Sequence, residues 1–284
     1  MVNNVVIISD EHVGCSLGLC TPDGAERDEG GRYECSSLQL KLWERWQYFW
    51  DVWVPIVTRG EPFAVIQNGD AIDGIHHNSV TQWTHNLGDQ IKAAEAILKD
   101  VVERCEGRFY FNRGTEAHVG KSAQFEEMLA RNLKAVADER GKYSRWILRI
   151  RVGSALIHAT HHVGVSSSLA YETSALQRAL QNEFTEAARW EREMPDVIVR
   201  SHRHRNCEVR VRFKKTNPAM QKQMMGTRFC TCFTTAGWQL DTPFGWRMSN
   251  QMPQIGGSMV RCGDEDVYAR HMVWDIDLPK IVEM

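Results

Sequence analysis

Long hydrophobic runs are missing from this chain of 284 residues. Its strongest apolar segments, such as Val5 to Ile8 and Phe63 to Ile66, have the length of a strand, whereas a membrane helix needs roughly 20 apolar residues. The start, Met1-Val2-Asn3-Asn4, also lacks the basic flank and apolar stretch of a signal peptide. We therefore expect a cytoplasmic protein with no membrane partner.

Metal-binding or redox cysteine motifs are absent as well. None of the eight cysteines forms a C-x-x-C pair. In a chain without a secretion signal this favours free thiols over a disulfide framework, and it excludes a zinc ribbon.

No charge of one sign dominates. Lys plus Arg number 34 against 36 for Asp plus Glu, a formal net charge of −2, which excludes a global basic field for nucleic acid. A local basic segment runs from Arg200 to Lys215. Hydrophobic residues at 43% and charged residues at 25% indicate an ordinary globular protein.

A strand, a polar cluster and a helix follow one another three times in the first half. This alternation predicts an α/β core whose sites lie at the strand ends. Residues 14–35, which contain five glycines and a proline, are expected to form a long surface loop. The strands are predicted at 5–9, 63–66 and 108–111, and the helices at 38–53, ending before Pro55, at 89–105 and at 122–137.

The second half has a different pattern. Two apolar runs flank Gly153-Ser154, which predicts an antiparallel hairpin. A long helix is predicted over 169–193 and a strand over 196–200. From 227 onward the chain alternates short strands with turns, including a late strand at 273–276.

Histidines and carboxylates close several of the predicted strands. Side chains two apart on a strand point to one face, so Asp10 with His12 and His202 with His204 each offer two ligands. Five such polar groups in order predict a shared metal centre. Carboxylate and imidazole ligands without thiolate suit Mn, Fe, Zn or Ni, and about seven ligands indicate two ions, which can clamp the oxygens of a displacement at phosphorus.

These groups resemble a known family. The succession Asp10-x-His12, Gly69-Asp70-x-x-Asp73, Gly114-Thr-Glu-Ala-His118, His161-His162 and Ser201-His202-Arg203-His204 is similar to D-x-H, G-D-x-x-D, G-N-H-[D/E], H and G-H-x-H of the calcineurin-like metallophosphoesterases.

The resemblance implies an α/β fold, a four-layer αββα sandwich of two mixed β-sheets with helices outside and the metal site at the carboxyl ends of the strands. It also implies a single domain over 1–284, with the core at about 5–205 and additional strands and capping loops in 206–284.

By the same resemblance, the ligands divide between two ions. The first ion would be held by Asp10, His12 and His204 and the second by His161 and His202, with Asp70 bridging them.

The third motif departs from the family because its asparagine ligand is missing. We expect Glu116 to replace it, with Thr115 and Asn112 as alternatives. His118 would then donate a proton to the leaving oxygen or steady charge on the phosphoryl group. Ser201 stands where the family has glycine, a small-for-small change that the backbone should tolerate.

The sequence leaves more than one histidine as a possible ligand or cleft residue. His161 is the expected ligand of the fourth motif, with His158 and His162 as alternatives. Asp73 is expected to act in catalysis by orienting the loop or a metal-bound water. The remaining histidines are His76, His77 and His85, which either line the cleft or lie in solvent, and His271, which we treat as structural.

Substrate contacts are predicted from charge and aromatic character. Arg113, Arg203 and Arg205 are candidates for phosphate contacts, because a guanidinium matches phosphate geometry; the alternative is a solvated flanking charge. Bases could stack on Trp238, Phe244 and Trp246, or these rings pack a loop onto the core.

The function expected from these residues is hydrolysis of phosphate esters with two divalent ions, Mn first, with Fe, Zn, Ni or Mg open. A phosphodiesterase or nuclease-like activity on nucleotides or nucleic acid is preferred. The alternatives are a phosphomonoesterase, a Ser/Thr protein phosphatase, or a non-catalytic binding module stabilised by metal.

Overall fold

Two mixed β-sheets form the centre of the protein in the computed structural model, which describes residues 2–76, 78–164, 171–213, 228–243, 252–263 and 267–276. The first sheet contains, in spatial order, β13 (Val267–Asp275), β12 (Gln254–Cys262), β1 (Asn4–Ile8), β4 (Phe63–Asn68), β5 (Phe109–Asn112) and β6 (Ser144–Arg145). The second contains β10 (Cys207–Phe213), β11 (Arg228–Thr234), β9 (Val197–Arg200), β8 (Ala155–Ala159) and β7 (Leu148–Val152).

Helices and a small hairpin complete the described structure. The hairpin pairs β2 (Ala25–Glu26) with β3 (Arg32–Tyr33). The helices are α1 (Ser37–Tyr48), a π-helical turn (Phe49–Trp53), α2 (Val54–Thr58), α3 (Leu87–Arg104), α4 (Glu116–Val119), α5 (Gln124–Asn132) and α6 (Ser174–Arg189).

Three hydrophobic clusters define four layers. The middle cluster lies between the sheets and joins residues such as Ile7 of β1 and Val199 of β9. A second cluster packs α1, α3 and α5 on the outer face of the first sheet, and a third packs α6 on the outer face of the second. The predicted α/β class, with two mixed sheets between helices, is confirmed.

Strands β1, β4 and β5 are parallel neighbours. All five residues of β1 are buried, as expected for a strand that is covered on both faces. Because the carboxyl ends of parallel strands meet at one edge of a sheet, the loops after these three strands converge.

The C-terminal part of the described chain contributes central structure. β12 pairs antiparallel with β1 and lies inside the first sheet, with β13 at its edge. In the described part of the chain, strands β10 to β13 all follow residue 206. The place of β12 beside β1 depends on long-range pairing, which local sequence does not encode.

Several helix and loop boundaries differ from those predicted. The helix from 38 does not stop before Pro55: it continues through the π-helical turn into α2, where Pro55 occupies the first turn and its missing N–H is tolerated. α5 is shorter than the predicted 122–137, since Lys134 adopts a left-handed conformation (φ 53°) just after it. The 14–35 loop is only partly a surface feature, because Cys15, Leu19 and Cys20 are buried.

The described part of the chain has no helix long and apolar enough to cross a membrane.

Candidate metal centre

Strained backbone marks the loops after the strands. Asp10, His12 and Asp70 have φ values of 60°, 45° and 56°, and His202 and His204 have 74° and 50°. Non-glycine residues seldom adopt this left-handed region, and where they do so in a cluster the surroundings must hold them there. All five are sequence-predicted ligands, so the strain coincides with the candidate site.

Backbone hydrogen bonds tie the first two loops together. Asp10 N donates to Gly69 O at 3.0 Å and His12 N donates to Asp70 O at 3.1 Å. The two carboxylates are therefore positioned by the register of β1 and β4. Both are almost completely buried.

We define the first donor set as Asp10, His12, Asp70 and His204. Oδ1 of Asp10 is buried and accepts no hydrogen bond from the described residues. His204 Nε2 lies 3.3 Å from this oxygen, and His12 Nε2 lies 3.9 Å from it. The two histidine Nε2 atoms are 3.1 Å apart, a separation that requires a proton or a shared cation between them.

Asp73 orients His12 within this set. Asp73 Oδ1 lies 3.1 Å from His12 Nδ1, and as a carboxylate it accepts the Nδ1 proton, which leaves the Nε2 lone pair facing Asp10 and His204. Carboxylate–histidine pairs of this kind commonly fix metal-ligating imidazoles. Gln82 Nε2 donates to the other Asp73 oxygen at 2.6 Å.

We define the second donor set as Asp70, Thr115, His161 and His202. His161 Nε2 lies 2.9 Å from Asp70 Oδ2. Thr115 Oγ1 lies 3.1 Å from the same oxygen, 3.3 Å from His161 Nε2 and 3.1 Å from His202 Nδ1. Asp70 and His161 also form a group of potential ligands with Asp10, so the two sets adjoin; the bridging role that the resemblance implies for Asp70 stays a prediction.

His161 has a fixed ring orientation as well. Its Nδ1 donates to the carbonyl of Asn68 at 2.7 Å, so its Nε2 is the atom that faces Asp70. Burial would lower the pKa of His161, but Asp70 and Asp10 outweigh it and raise the pKa to about 10. Carboxylates that hold a proton this firmly would also favour a divalent cation.

The carboxylates are ionised in spite of their burial. Burial would raise the pKa of Asp10, but His204 and His161 hold it well below its usual range. The same balance applies to Asp70, where His161 and His118 are the opposing groups. Buried carboxylates faced by imidazole nitrogens, with Asp10 Oδ1 accepting no hydrogen bond from the described residues, form a donor set that fits hard to borderline divalent ions.

Two glycines allow the loops to approach. A Cβ on Gly114 would lie 2.1 Å from Asp70 Oδ1, and one on Gly69 would lie 2.6 Å from His161 Nδ1. Gly69 also has a φ of 97°, which L side chains rarely adopt. The glycines of the second and third motifs are thus required by space at the donor atoms.

Glu126 of α5 anchors two of the loops from behind. Its carboxyl oxygens accept from Ala71 N at 3.1 Å and from Gly114 N at 2.6 Å. Burial, and next the charge of Asp70, raise its pKa to about 8. A glutamate in a helix normally faces solvent, so no pattern in the sequence marks this one.

His118 lies beside the first donor set. Its ring centroid is 4.6 Å from that of His12, and its Nε2 is 4.0 Å from Asp70 Oδ2. Nδ1 donates to the Asp73 carbonyl at 2.6 Å, so Nε2 faces the site. Burial is the main cause that lowers the pKa of His118 to about 4.

For the missing asparagine ligand, the structure favours Thr115 over Glu116. Thr115 directly precedes α4 and its hydroxyl donates to Asp70. Glu116, the first residue of α4, is exposed and joins none of the described groups of potential ligands. Asn112 donates instead to Asn68 Oδ1 and to the Ala159 carbonyl. The helix start separates the two side chains, and residue type alone does not show this.

The three arginines proposed to bind phosphate have other partners. Arg113 donates to Ser144 Oγ at 2.9 Å, Arg203 donates to the carbonyl of Glu172 at 3.2 Å, and Arg205 pairs with the Glu172 carboxylate at 2.8 Å. Their guanidinium groups connect neighbouring segments of the fold. A role in substrate binding stays a prediction.

The remaining histidines divide between the site and the scaffold. His76 Nε2 lies 3.4 Å from Asp73 Oδ1, at the edge of the site. His158 pairs with Glu183 at 2.9 Å, below α6, and His271 contacts Ser258 and Glu208. His85 is exposed, and Ser201 accepts a hydrogen bond from Asn68. His77 lies outside the described residues.

The prediction that bases could stack on Trp238 is wrong. This ring is fully buried and packs against Trp46 and Phe49, so the alternative, a loop packed onto the core, is correct for it. Phe244, Trp246, Lys214 and Lys215 lie outside the described residues.

Sequence reasoning gave no role to Asn68 or Glu126. Asn68 accepts from His161 and Asn112 and donates to Ser201, and in this way it links the two sheets. A polar residue at the end of the apolar run 63–66 was the available signal for Asn68.

Comparison with known proteins adds little. No family model matches the chain and no curated protein matches it. Among solved structures, Vps29 from Entamoeba histolytica, complexed with Zn²⁺, is 10% identical with a TM-score of 0.39, covering 96% of this chain and 98% of that one.

Two other solved structures are similar to the same degree. Vps29 from Chaetomium thermophilum is 10% identical (TM-score 0.38), covering 98% of this chain and 100% of that one. Vacuolar Protein Sorting 29 from Cryptosporidium parvum is 9% identical (TM-score 0.36), covering 96% and 98%. Likeness at this level assigns no function.

Proposed function

We propose that this protein is a metal-dependent phosphoesterase with a dinuclear centre, acting on phosphodiesters of the nucleotide or nucleic-acid type. One observation carries the proposal: two adjoining donor sets, connected through the buried Asp10 and Asp70, converge on strained loops at the ends of parallel strands. Donors from distant segments have no reason to be gathered there for packing alone, because buried carboxylates are costly unless they are compensated.

The donor sets assign the residues to two ions. Asp10, His12, Asp70 and His204 would hold the first, and Asp70, His161 and His202 with Thr115 the second. When bound, two divalent ions stabilise charge on phosphoryl oxygens and lower the pKa of an attacking water. The protein contributes the fixed orientation of the imidazoles, through Asp73 for His12 and through the Asn68 carbonyl for His161.

His118 supplies the proton-transfer group. Its Nδ1 is occupied by the Asp73 carbonyl, so only Nε2 can exchange a proton with a leaving oxygen. Burial keeps this imidazole neutral near pH 7. A phosphate anion bound next to it would raise its pKa, so His118 would acquire its proton together with the substrate.

A cavity of about 290 Å³ lies beside His118. Its lining combines apolar side chains with charged ones, Glu116 and Lys121, and the apolar part suits an organic leaving group better than bare phosphate. This composition supports a diester substrate. The lining includes His76, Leu87, Ala117, His118, Lys121 and Phe125.

Hydrolysis of bis-para-nitrophenyl phosphate with Mn²⁺ tests the proposal. We expect turnover by the purified protein and a loss of about 1,000-fold in His204→Ala and Asp70→Asn, because metal stabilisation amounts to several kcal/mol. Circular dichroism should show that both variants are folded. His85→Ala is the matched control, since His85 is exposed and joins none of the described ligand groups.

The outcome distinguishes the alternatives. Full activity in both site variants would overturn the assignment. A wild-type protein that binds Mn, Zn, Ni, Fe or Mg and hydrolyses neither diesters nor monoesters would instead be a non-catalytic binding module. Hydrolysis restricted to monoesters or phosphopeptides would identify a phosphomonoesterase or a protein phosphatase.

A further inference from the structure

A third histidine joins the open side of the second donor set. His162 follows His161 directly, and its ring centroid lies 5.3 Å from that of His161 and 5.1 Å from that of His202. The centroids of His161 and His202 are also 5.3 Å apart. One nitrogen from each of the three rings lies within 4.8 Å of the other two, so one ion could contact all three.

The local backbone explains how neighbouring residues reach the same place. Consecutive side chains of a strand point to opposite faces, but β8 ends at Ala159 and the chain bends at His161. The bend brings the rings of His161 and His162 to the same side. His161 is buried there and His162 is exposed.

The second donor set needs another strong ligand. Thr115 offers a hydroxyl to this set, but the hydroxyl donates to an Asp70 oxygen at 3.1 Å. A neutral hydroxyl engaged in this way is a weak ligand compared with imidazole or carboxylate. Asp10 Oδ1 lies 3.9 Å from His161 Nε2, but this carboxylate belongs to the first set. Without a further donor, Asp70, His161 and His202 would therefore be the strong ligands of the second set among the described residues.

We propose that His162 is a ligand of the second ion, so that this site offers three imidazoles and one carboxylate and prefers Zn²⁺ to Mn²⁺. The inference rests on the proposed dinuclear centre. The first donor set has two carboxylates and two imidazoles, and imidazole favours zinc whereas carboxylate favours manganese. The two sites therefore differ in metal preference, with zinc selected at the second.

Metal titration tests this ligand without reference to activity. Isothermal titration calorimetry of the metal-free full chain with Zn²⁺ and, separately, with Mn²⁺ gives the number of ions and the affinity of each. We expect two Zn²⁺ ions in the wild type. His162→Ala should retain the first with unchanged affinity and bind the second at least about tenfold more weakly, the lower end of the effect seen even for residues that only support a ligand.

Two further variants sharpen the assignment. Thr115→Asn in the His162→Ala background should restore binding of the second ion by supplying an amide oxygen, and should shift that site towards Mn²⁺. His85→Ala, an exposed histidine outside the described ligand groups, should titrate like the wild type. Visible absorption of the Co²⁺-loaded proteins provides an independent record, and His162→Ala should alter the spectrum of the second equivalent.

The results separate the two proposals. If the wild type binds two Zn²⁺ ions and His162→Ala binds both as tightly with an unchanged Co²⁺ spectrum, His162 is not a ligand, although the dinuclear centre stands. If the wild type binds fewer than two ions of Zn²⁺ and of Mn²⁺, the dinuclear centre fails and the inference fails with it.

Discussion

The two donor sets adjoin at Asp10 and Asp70 but lie in different surroundings. Asp10 and His12 of the first set are nearly fully buried, and Asp73 fixes the His12 ring from behind. On the second side, His162 and His202 are exposed and Thr115 is partly so. The first set is thus held by packing and by a supporting carboxylate, whereas the second opens to solvent and relies on imidazoles. Substitutions should therefore affect the two ions separately.

The largest effect on the rate of hydrolysis that distinguishes the two donor sets should come from His118→Asn. Its ring contacts the first set, and a general acid contributes about 10²- to 10⁴-fold in rate. We expect a loss of this size for diesters whose leaving group is an alcohol, and a much smaller loss for bis-para-nitrophenyl phosphate, because para-nitrophenolate leaves without a proton. Steady-state kinetics on both substrates measures the difference.

Metal titration of the same variant is the control. Both ions should bind His118→Asn as they bind the wild type. An equal loss of rate on the two substrates would remove His118 from the role of proton donor.

An intermediate effect is expected for Asp73→Asn. The asparagine keeps the shape but loses the charge that supports His12, so affinity for the first ion should fall about 10- to 100-fold. The second ion should bind unchanged, which is the reverse of the result expected for His162→Ala. Calorimetric titration of both variants checks this opposition, and parallel losses at both ions would mean that the sides are not independent.

The smallest effect, on stability, is expected for Glu126, which accepts hydrogen bonds from the loops that carry Asp70 and Thr115. Its pKa is raised to about 8 by burial and then by Asp70, from an ordinary 4.5, so the folded protein binds this proton more tightly than the unfolded chain. The resulting stability is present below pH 4.5 and is lost as the pH rises to 8. The Tm of the metal-free protein should therefore fall as the pH rises from 4.5 to 8, and the Tm of Glu126→Gln should fall less.

Glu127→Gln is the matched control for this measurement. Burial would raise the pKa of Glu127, but hydrogen bonds from Ser144 lower it, so this variant should keep the downward slope of Tm between those pH values. Equal slopes in the wild type and in Glu126→Gln, recorded by differential scanning fluorimetry in EDTA, would show that Glu126 ionises normally.

Elements with strong local signals were predictable. The apolar runs that became β1, β4 and β5, the Gly153-Ser154 hairpin and the strand ending in Arg200 were all read from periodicity and turn residues. Errors fell at boundaries, as at Pro55, where a π-helical turn carried the helix onward. Such an adjustment depends on packing against the sheet and leaves no local pattern.

Within the site, the sequence identified most of the donor residues now found together. The expected reason was wrong, because Asp10, His12, His202 and His204 follow the strands in left-handed loops, where alternation along a strand does not place side chains. The sequence did not distinguish Thr115 from Glu116. Both residues offer oxygen, and only the start of α4 decides which side chain turns inward. The partners of the arginines were not predictable for a similar reason, since residue type predicts charge and not the partner that satisfies it.

The amino-acid sequence by itself determined the α/β class and the chemical kind of the site, because periodic burial and ligand spacing are local properties; the layers were implied by the family resemblance. Tertiary structure alone decided that β12 lies beside β1, that Trp238 is in the core, and that His162 lies next to His161 and His202. Each of these depends on residues far apart in the chain, whose meeting is fixed by the packing of the whole fold.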